Sequence, residues 1–227
     1  MYDHYKKARN KSWEVLYDCK ISEFPVDLGK IADFYGIKIT LYSDTKLIQL
    51  FKEDALQGDG FVLRNEDETQ VFINDKIHNR NRRRFTLAHE LGHALLGHSL
   101  DEIHYRNSEI DSQTDMQELE ANVFARDVLM PATVLVALDI HTAAEIMSLC
   151  HVSRQSAEIR AERLQELCRR NKFNLHPAER KVREQFDTFI RNYQKFYIYF
   201  LIVRINTILS SILKYKKTLI LPRIYHD

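Results

Sequence analysis

The chain has 227 residues, 44% of them hydrophobic, and 33 Lys/Arg against 32 Asp/Glu give a formal net charge of +1. That is enough for a sizeable core and fits one domain plus an appendage. Three widely spaced cysteines, Cys19, Cys150 and Cys168, contain no Cys-x-x-Cys pair and exclude a disulfide framework. The start, Met1-Tyr2-Asp3-His4-Tyr5-Lys6-Lys7, lacks the apolar core of a signal peptide, so a cytoplasmic protein is expected. Charge is uneven: residues 151–227 hold 16 Lys/Arg and 7 Asp/Glu, a net +9 against −8 for residues 1–150. A basic C-terminal part invites an acidic partner or nucleic acid, although such a run is more often a solvated face.

Residues 4–19 read as a first helix. Phe24-Pro25-Val26-Asp27 opens a second, with Pro25 near its start, Leu28, Ile31 and Phe34 on an apolar face, and Gly36 as its end. Ile37–Tyr42 alternates apolar and polar residues as a half-buried strand does. Leu47–Phe51 reads as helix or strand. After the Gly58-Asp59-Gly60 turn, Phe61–Arg64 and Thr69–Asn74 flank a polar tip and predict a β-hairpin. Asn79–Arg84 follows, its arginines set to contact a substrate or to lie in a solvated loop. If the hairpin presents an unpaired edge, an extended peptide can add to it as a further strand.

Phe85–His98 comes next and contains His89-Glu90-Leu91-Gly92-His93. Residues four apart share a helix face, so His89 and His93 can hold one metal ion from successive turns. Glu90 sits beside them, placed to take a proton from the water that such a metal activates. The competing reading is a core helix with two incidental histidines; histidines repeated at ligand spacing around an acid favour the metal. Leu87, Leu91 and Leu95 are expected to press the remaining sides into the core. His98 lies on roughly the opposite side of a continuous helix, and the longer zinc pattern with a third histidine finds Leu96 and Ser99 where it needs Gly and His. His98 therefore reads as a helix-end residue beside Gly97 rather than a ligand.

A catalytic zinc takes three protein ligands and a water. Residues 99–114 look irregular, and Met116–Met130, closed by Pro131, forms a strong helix pattern. Its acids Glu118 and Glu120 are the candidates for a third ligand. Glu118 shares a face with Ala121, Asn122, Ala125 and Leu129, where two alanines permit close approach to the histidine helix; Glu120 shares one with Phe124 and Asp127. Glu118 is favoured, with Glu120 the alternative, and Asn122 can brace a ligand histidine through its outer ring nitrogen. His78, His104 and Tyr105 are candidates, by position alone, for stabilising an oxyanion.

Arg84–His93, followed by Glu118–Ala125 and Leu129-Met130-Pro131, resembles the ImmA/IrrE family of metallo-endopeptidases over about residues 20–170. The resemblance implies an α+β fold, with a short mixed sheet and hairpin packed on the His-Glu-x-x-His helix of a small zincin-like metalloprotease domain. It implies Zn2+ on His89, His93 and a glutamate, and Glu90 as base. Its members cleave, or trigger cleavage of, helix-turn-helix repressors of mobile elements or stress responses, often encoded nearby.

Thr142–Arg160 reads as two helices around a short turn, like a helix-turn-helix, with Ser153 capping the second. DNA contact by residues 153–163 competes with closure of the protease core or docking of the repressor, and the latter is favoured because relatives commonly carry this segment. Residues 176–195 read as another charged helix. Phe196–Leu213 has about the length of a membrane span, but Arg204 and Asn206 near its middle favour packing on the body or a partner. The expected division is a metallopeptidase domain over 1–135, an α-helical, helix-turn-helix-like part over 136–195 and an apolar, basic tail over 196–227. The alternative to proteolysis is a regulator or adaptor that binds a repressor or DNA through the C-terminal helices.

Overall fold

A computed structural model describes residues 2–44, 58–98 and 112–220. Helix α1 spans Tyr2–Asp18 and buries Ala8, Trp13, Val15 and Leu16 along one side. Helix α2 is Leu28–Phe34, capped by the Asp27 carboxylate, which accepts from the Lys30 N–H. Pro25 lies near the helix start, two residues before the cap, in a cis peptide with Phe24. Phe34 departs from expectation, being exposed while Leu28, Ile31 and Ala32 are buried.

Strand β1 (Ile37–Leu41) leads into a 3-10 turn, Tyr42–Asp44. The hairpin forms around its polar tip as expected, with β2 at Gly60–Arg64 and β3 at Thr69–Ile73, antiparallel and paired Val62 to Val71. β1 joins β3 in parallel, giving a mixed sheet of order β1-β3-β2. Leu47–Phe51 lies outside the described residues.

Helix α3 spans Arg80–Leu96 and α4 spans Ser112–Leu129. The arginine-rich segment is thus the first turns of α3, not a loop. Asn79 caps it by accepting from the N–H groups of Asn81 and Arg82. Its side chains then tie distant parts together: Arg82 pairs with Asp59 at 2.6 Å, and Arg84 donates to the carbonyls of Val26 and Cys150. Leu91 is fully buried, but Ala88, Ala94 and Leu96 share that burial, and Leu87 and Leu95 are only half-buried. Pro131 opens the short α5 (Ala132–Ala137).

Two helices then meet at a tight turn, α6 (Ala143–Cys150) and α7 (Arg154–Arg169). Thr142 and Glu145 form a reciprocal capping box on α6, and Ser153 caps α7 by accepting from the Ser156 N–H. The charged helix expected over 176–195 divides in two: α8 (Pro177–Gln185) stops at Phe186, and α9 (Asp187–Ile220) begins after it. Phe186 is fully buried, with its ring 5.2 Å from that of Phe24, so packing fixes the break.

The fold is α+β, a small mixed sheet with helices, followed by an entirely helical C-terminal part. Met1–Asp187 forms one compact unit and Thr188–Asp227 a second. By length and composition, α9 is long and apolar enough over Asp187–Ile212 to cross a membrane. Every described side chain over residues 196–212 is exposed.

Candidate metal centre

The site is built where α3 crosses α4. At Gly92 an added Cβ would lie 3.2 Å from the Ala121 Cα and 3.0 Å from the Phe124 ring, so the two backbones approach as closely as side-chain-free packing allows. Ala121 and Ala125, both fully buried, form the other half of this contact. Close approach brings Glu118 of α4 over the two histidines of α3.

His89 Nε2 and His93 Nε2 are 3.0 Å apart, Glu118 Oε2 is 3.4 Å from His89 Nε2, and Glu118 Oε1 is 3.3 Å from His93 Nε2. Metal bonds of 2.0–2.1 Å in a tetrahedron put ligand atoms about 3.3 Å apart. The triangle therefore has the size and the donor chemistry, two imidazoles and a carboxylate, to hold a tetrahedral metal ion. His89 and His93 are sunk to 13% and 12% side-chain exposure, while Glu118 keeps 45%. The carboxylate side is open to water.

The electrostatics suit a cation. Burial disfavours a charged His89, but the Glu118 hydrogen bond and the charges of Glu90 and Glu118 outweigh it and raise its pKa. Burial likewise opposes the Glu118 carboxylate, yet hydrogen bonds and charge from His89 and His93 hold it well below the usual carboxylate range. The Asn122 side chain also hydrogen-bonds His89.

Glu90 lies beside the triangle rather than in it. Its charge acts on His89 and also on Tyr42, whose phenol is driven well above its ordinary pKa by burial first, then by Glu90 and Asp59. The Tyr42 hydroxyl is buried and has no hydrogen-bond partner among the described residues. Nothing in the sequence singled out Tyr42, which reads simply as the end of an alternating strand.

Glu120 does not face the triangle. It is buried and accepts from His98, whose Nε2 lies 2.8 Å from its Oε2. His98 stands at the helix end beside Gly97, as expected, and outside the triangle, but it reaches back to it. Gly97 adopts a left-handed φ of 70°, α3 ends there, and the chain folds back to bring His98 Nδ1 within 2.9 Å of His93 Nδ1. A helical wheel carried beyond Leu96 could not show this. His78 is exposed in the loop before α3, and His104 and Tyr105 lie outside the described residues.

The family model described as the IrrE N-terminal-like domain, of peptidase type M78, matches residues 44–162, which contain α3, α4 and every residue of the triangle. No curated protein sequence matches the chain.

Proposed function

The chain belongs to the ImmA/IrrE-type metallopeptidases, and from that membership we propose that it is a zinc-dependent endopeptidase whose substrate is a helix-turn-helix transcriptional repressor. The observation that carries the zinc assignment is the His89–His93–Glu118 triangle, with its 3.0–3.4 Å edges. A bound zinc supplies a Lewis acid for the scissile carbonyl and the attacking water. His89 and His93 keep both Nε2 atoms on one side of α3, and Glu118 completes the set from α4. Glu90, next to His89 but outside the triangle, accepts the water's proton on its carboxylate as the C–O bond forms. It returns that proton to the amide nitrogen as the C–N bond breaks.

Strand β2 supports the endopeptidase reading. It borders the sheet and runs alongside α3: a Cβ on Gly60 would sit 3.0 Å from Thr86 Cγ2, and Arg64 donates to the Ala94 carbonyl at 2.6 Å. Among the described residues β2 has a strand on one side only. An extended peptide pairing with its other edge lies along the stretch of α3 that carries Glu90. The repressor assignment rests on the family resemblance, and a cytoplasmic setting fits three cysteines that are all unpaired.

Metal content and cleavage together test this. Purified protein carries about one zinc per chain, and His93→Ala loses it. Wild type should cut a helix-turn-helix repressor, with products read by mass spectrometry, whereas Glu90→Gln should keep the zinc and lose the cleavage. An adaptor role predicts that Glu90→Gln changes little, and a wild type without zinc removes the protease reading altogether.

A further inference from the structure

Outside the triangle, a chain of four ionisable side chains, the inner two of them buried, ends on a ligand histidine. His93 Nδ1 faces His98 Nδ1 at 2.9 Å, and His98 Nε2 faces Glu120 Oε2 at 2.8 Å. Glu120 Oε1 meets His4 Nδ1 at 2.5 Å, and Glu120 Oε2 meets Lys7 Nζ at 2.9 Å, both from α1. His98 and Glu120 each keep 2% side-chain exposure, while His4 and Lys7 are half in solvent. The chain therefore runs from the candidate metal position, through the interior, to the protein surface.

Proton positions along it follow from valence. Two imidazole nitrogens at hydrogen-bond distance must share one proton, one donating and the other accepting. If His93 offers its Nε2 lone pair to a metal, its single proton sits on Nδ1 and is donated to His98 Nδ1. His98 then carries its own proton on Nε2, where the Glu120 carboxylate accepts it. Glu120 is in turn held by the His4 ring and the Lys7 ammonium, so its charge is compensated where it is buried. Each tautomer is consistent with the next, and all of them point the His93 Nε2 lone pair at the triangle.

We propose that His98 and Glu120 are positioning residues for the metal centre: Glu120, anchored by α1, fixes the His98 tautomer, and His98 fixes the tautomer and ring orientation of His93. The inference rests on the metal reading given above. It divides the two ligand histidines, since His89 is braced by the Asn122 amide of α4 while His93 is braced by a histidine–carboxylate pair tied to α1. Outer-sphere partners of this sort change metal affinity by about 10–100-fold when removed. The docking of α1 against α4 thereby acts on ligand geometry as well as on the core.

Zinc affinity of the full chain, measured by competition with a chromophoric chelator, tests the proposal without recourse to any substrate. His98→Leu keeps the volume but removes the acceptor for His93, and its zinc affinity should fall by about 10–100-fold. His98→Asn places an oxygen near the Nδ1 position and should recover most of that loss, which a role in packing alone does not predict. Glu120→Gln, of unchanged shape, should fall between wild type and His98→Leu, and it decides the matter with His98→Asn if the leucine variant does not fold. Circular dichroism of the metal-free proteins establishes that each is folded. The proposal is overturned if a zinc-binding wild type and its folded His98 and Glu120 variants share one affinity, or if His98→Asn binds as weakly as His98→Leu. A wild type that binds no zinc is a different result and overturns the metal reading along with this one.

Discussion

At the scale of single residues, Gly92 decides how near α4 can come to His89 and His93. Alanine there gains up to about 1 kcal/mol of helix propensity. Its Cβ, however, meets Ala121 Cα at 3.2 Å and Ala121 O at 3.3 Å, backbone atoms that cannot rotate aside, as well as a fully buried Phe124 ring. Overpacking of this kind costs about 1–3 kcal/mol, so the sign is destabilising. Gly92→Ala should unfold at lower urea and bind zinc more weakly, because separating the helices moves Glu118 away from His89 and His93. A variant of equal or greater stability with unchanged zinc affinity contradicts the close-approach argument. The same residues show which parts of the site the sequence made legible. His89 and His93 obey a four-residue period inside one helix, and Glu118 stands on a face marked by Ala121 and Ala125. His98 obeys no period, because Gly97 turns the chain through a left-handed conformation before it. Its contact with Glu120 spans two elements and is a property of packing alone.

Between elements, α4 and α7 are joined by buried charge. Asp127 pairs with Arg126 at 2.8 Å and with Arg160 at 2.9 Å, Arg160 also donates to the Met130 carbonyl, and Arg126 donates to the Tyr5 hydroxyl of α1. Burial opposes the Asp127 carboxylate, but Arg126 and Arg160 outweigh it and lower its pKa. A carboxyl whose pKa is lower folded than unfolded stabilises the fold above its unfolded value, near 3.9, and that contribution is lost as pH falls through the folded value. Asp127→Asn leaves the buried Arg160 guanidinium and the part-buried one of Arg126 without their counter-charge and should cost about 3–5 kcal/mol at pH 7. Urea denaturation at a series of pH values should show the gap between wild type and variant closing only below about pH 4. A gap that is absent at pH 7, or constant down to pH 2, argues against this account. Periodicity placed both helices of this pair, and Pro131 and the Ser153 cap gave their ends. The partners of Arg160 were not visible, since an arginine among surface-spaced acids reads as solvated until the neighbouring helix is known. The start of α3 was obscured for a related reason: its arginine run looks like a loop by charge, and the Asn79 cap is a short signal beside it.

For the molecule as a whole, the site and the apolar tail belong to different compact units. Every residue of the triangle and of the chain through His98 lies within Met1–Asp187, whereas α9 makes up most of Thr188–Asp227. The described side chains over residues 196–212 are exposed, among them Phe196, Tyr197, Phe200, Ile205 and Ile208. An uncovered apolar run of this length drives association in water, with copies of itself or with lipid, because each apolar side chain hidden is worth about 1.5–3 kcal/mol. Removing residues 196–227 discards none of the buried side chains described in the structure, so the cores that hold α3 against α4 stay intact. The shortened chain should therefore melt within about 2 °C of the full one, a shift matching no more than about 1 kcal/mol for a protein of this size. It should also keep the zinc binding and cleavage proposed for the full chain. Full-length protein should sediment as concentration-dependent assemblies that detergent disperses, and the shortened one as a single species. A truncated chain that loses zinc or melts far lower shows that the tail is part of the folded catalytic unit, and full-length protein that remains monomeric without detergent shows that the apolar helix is covered in solution.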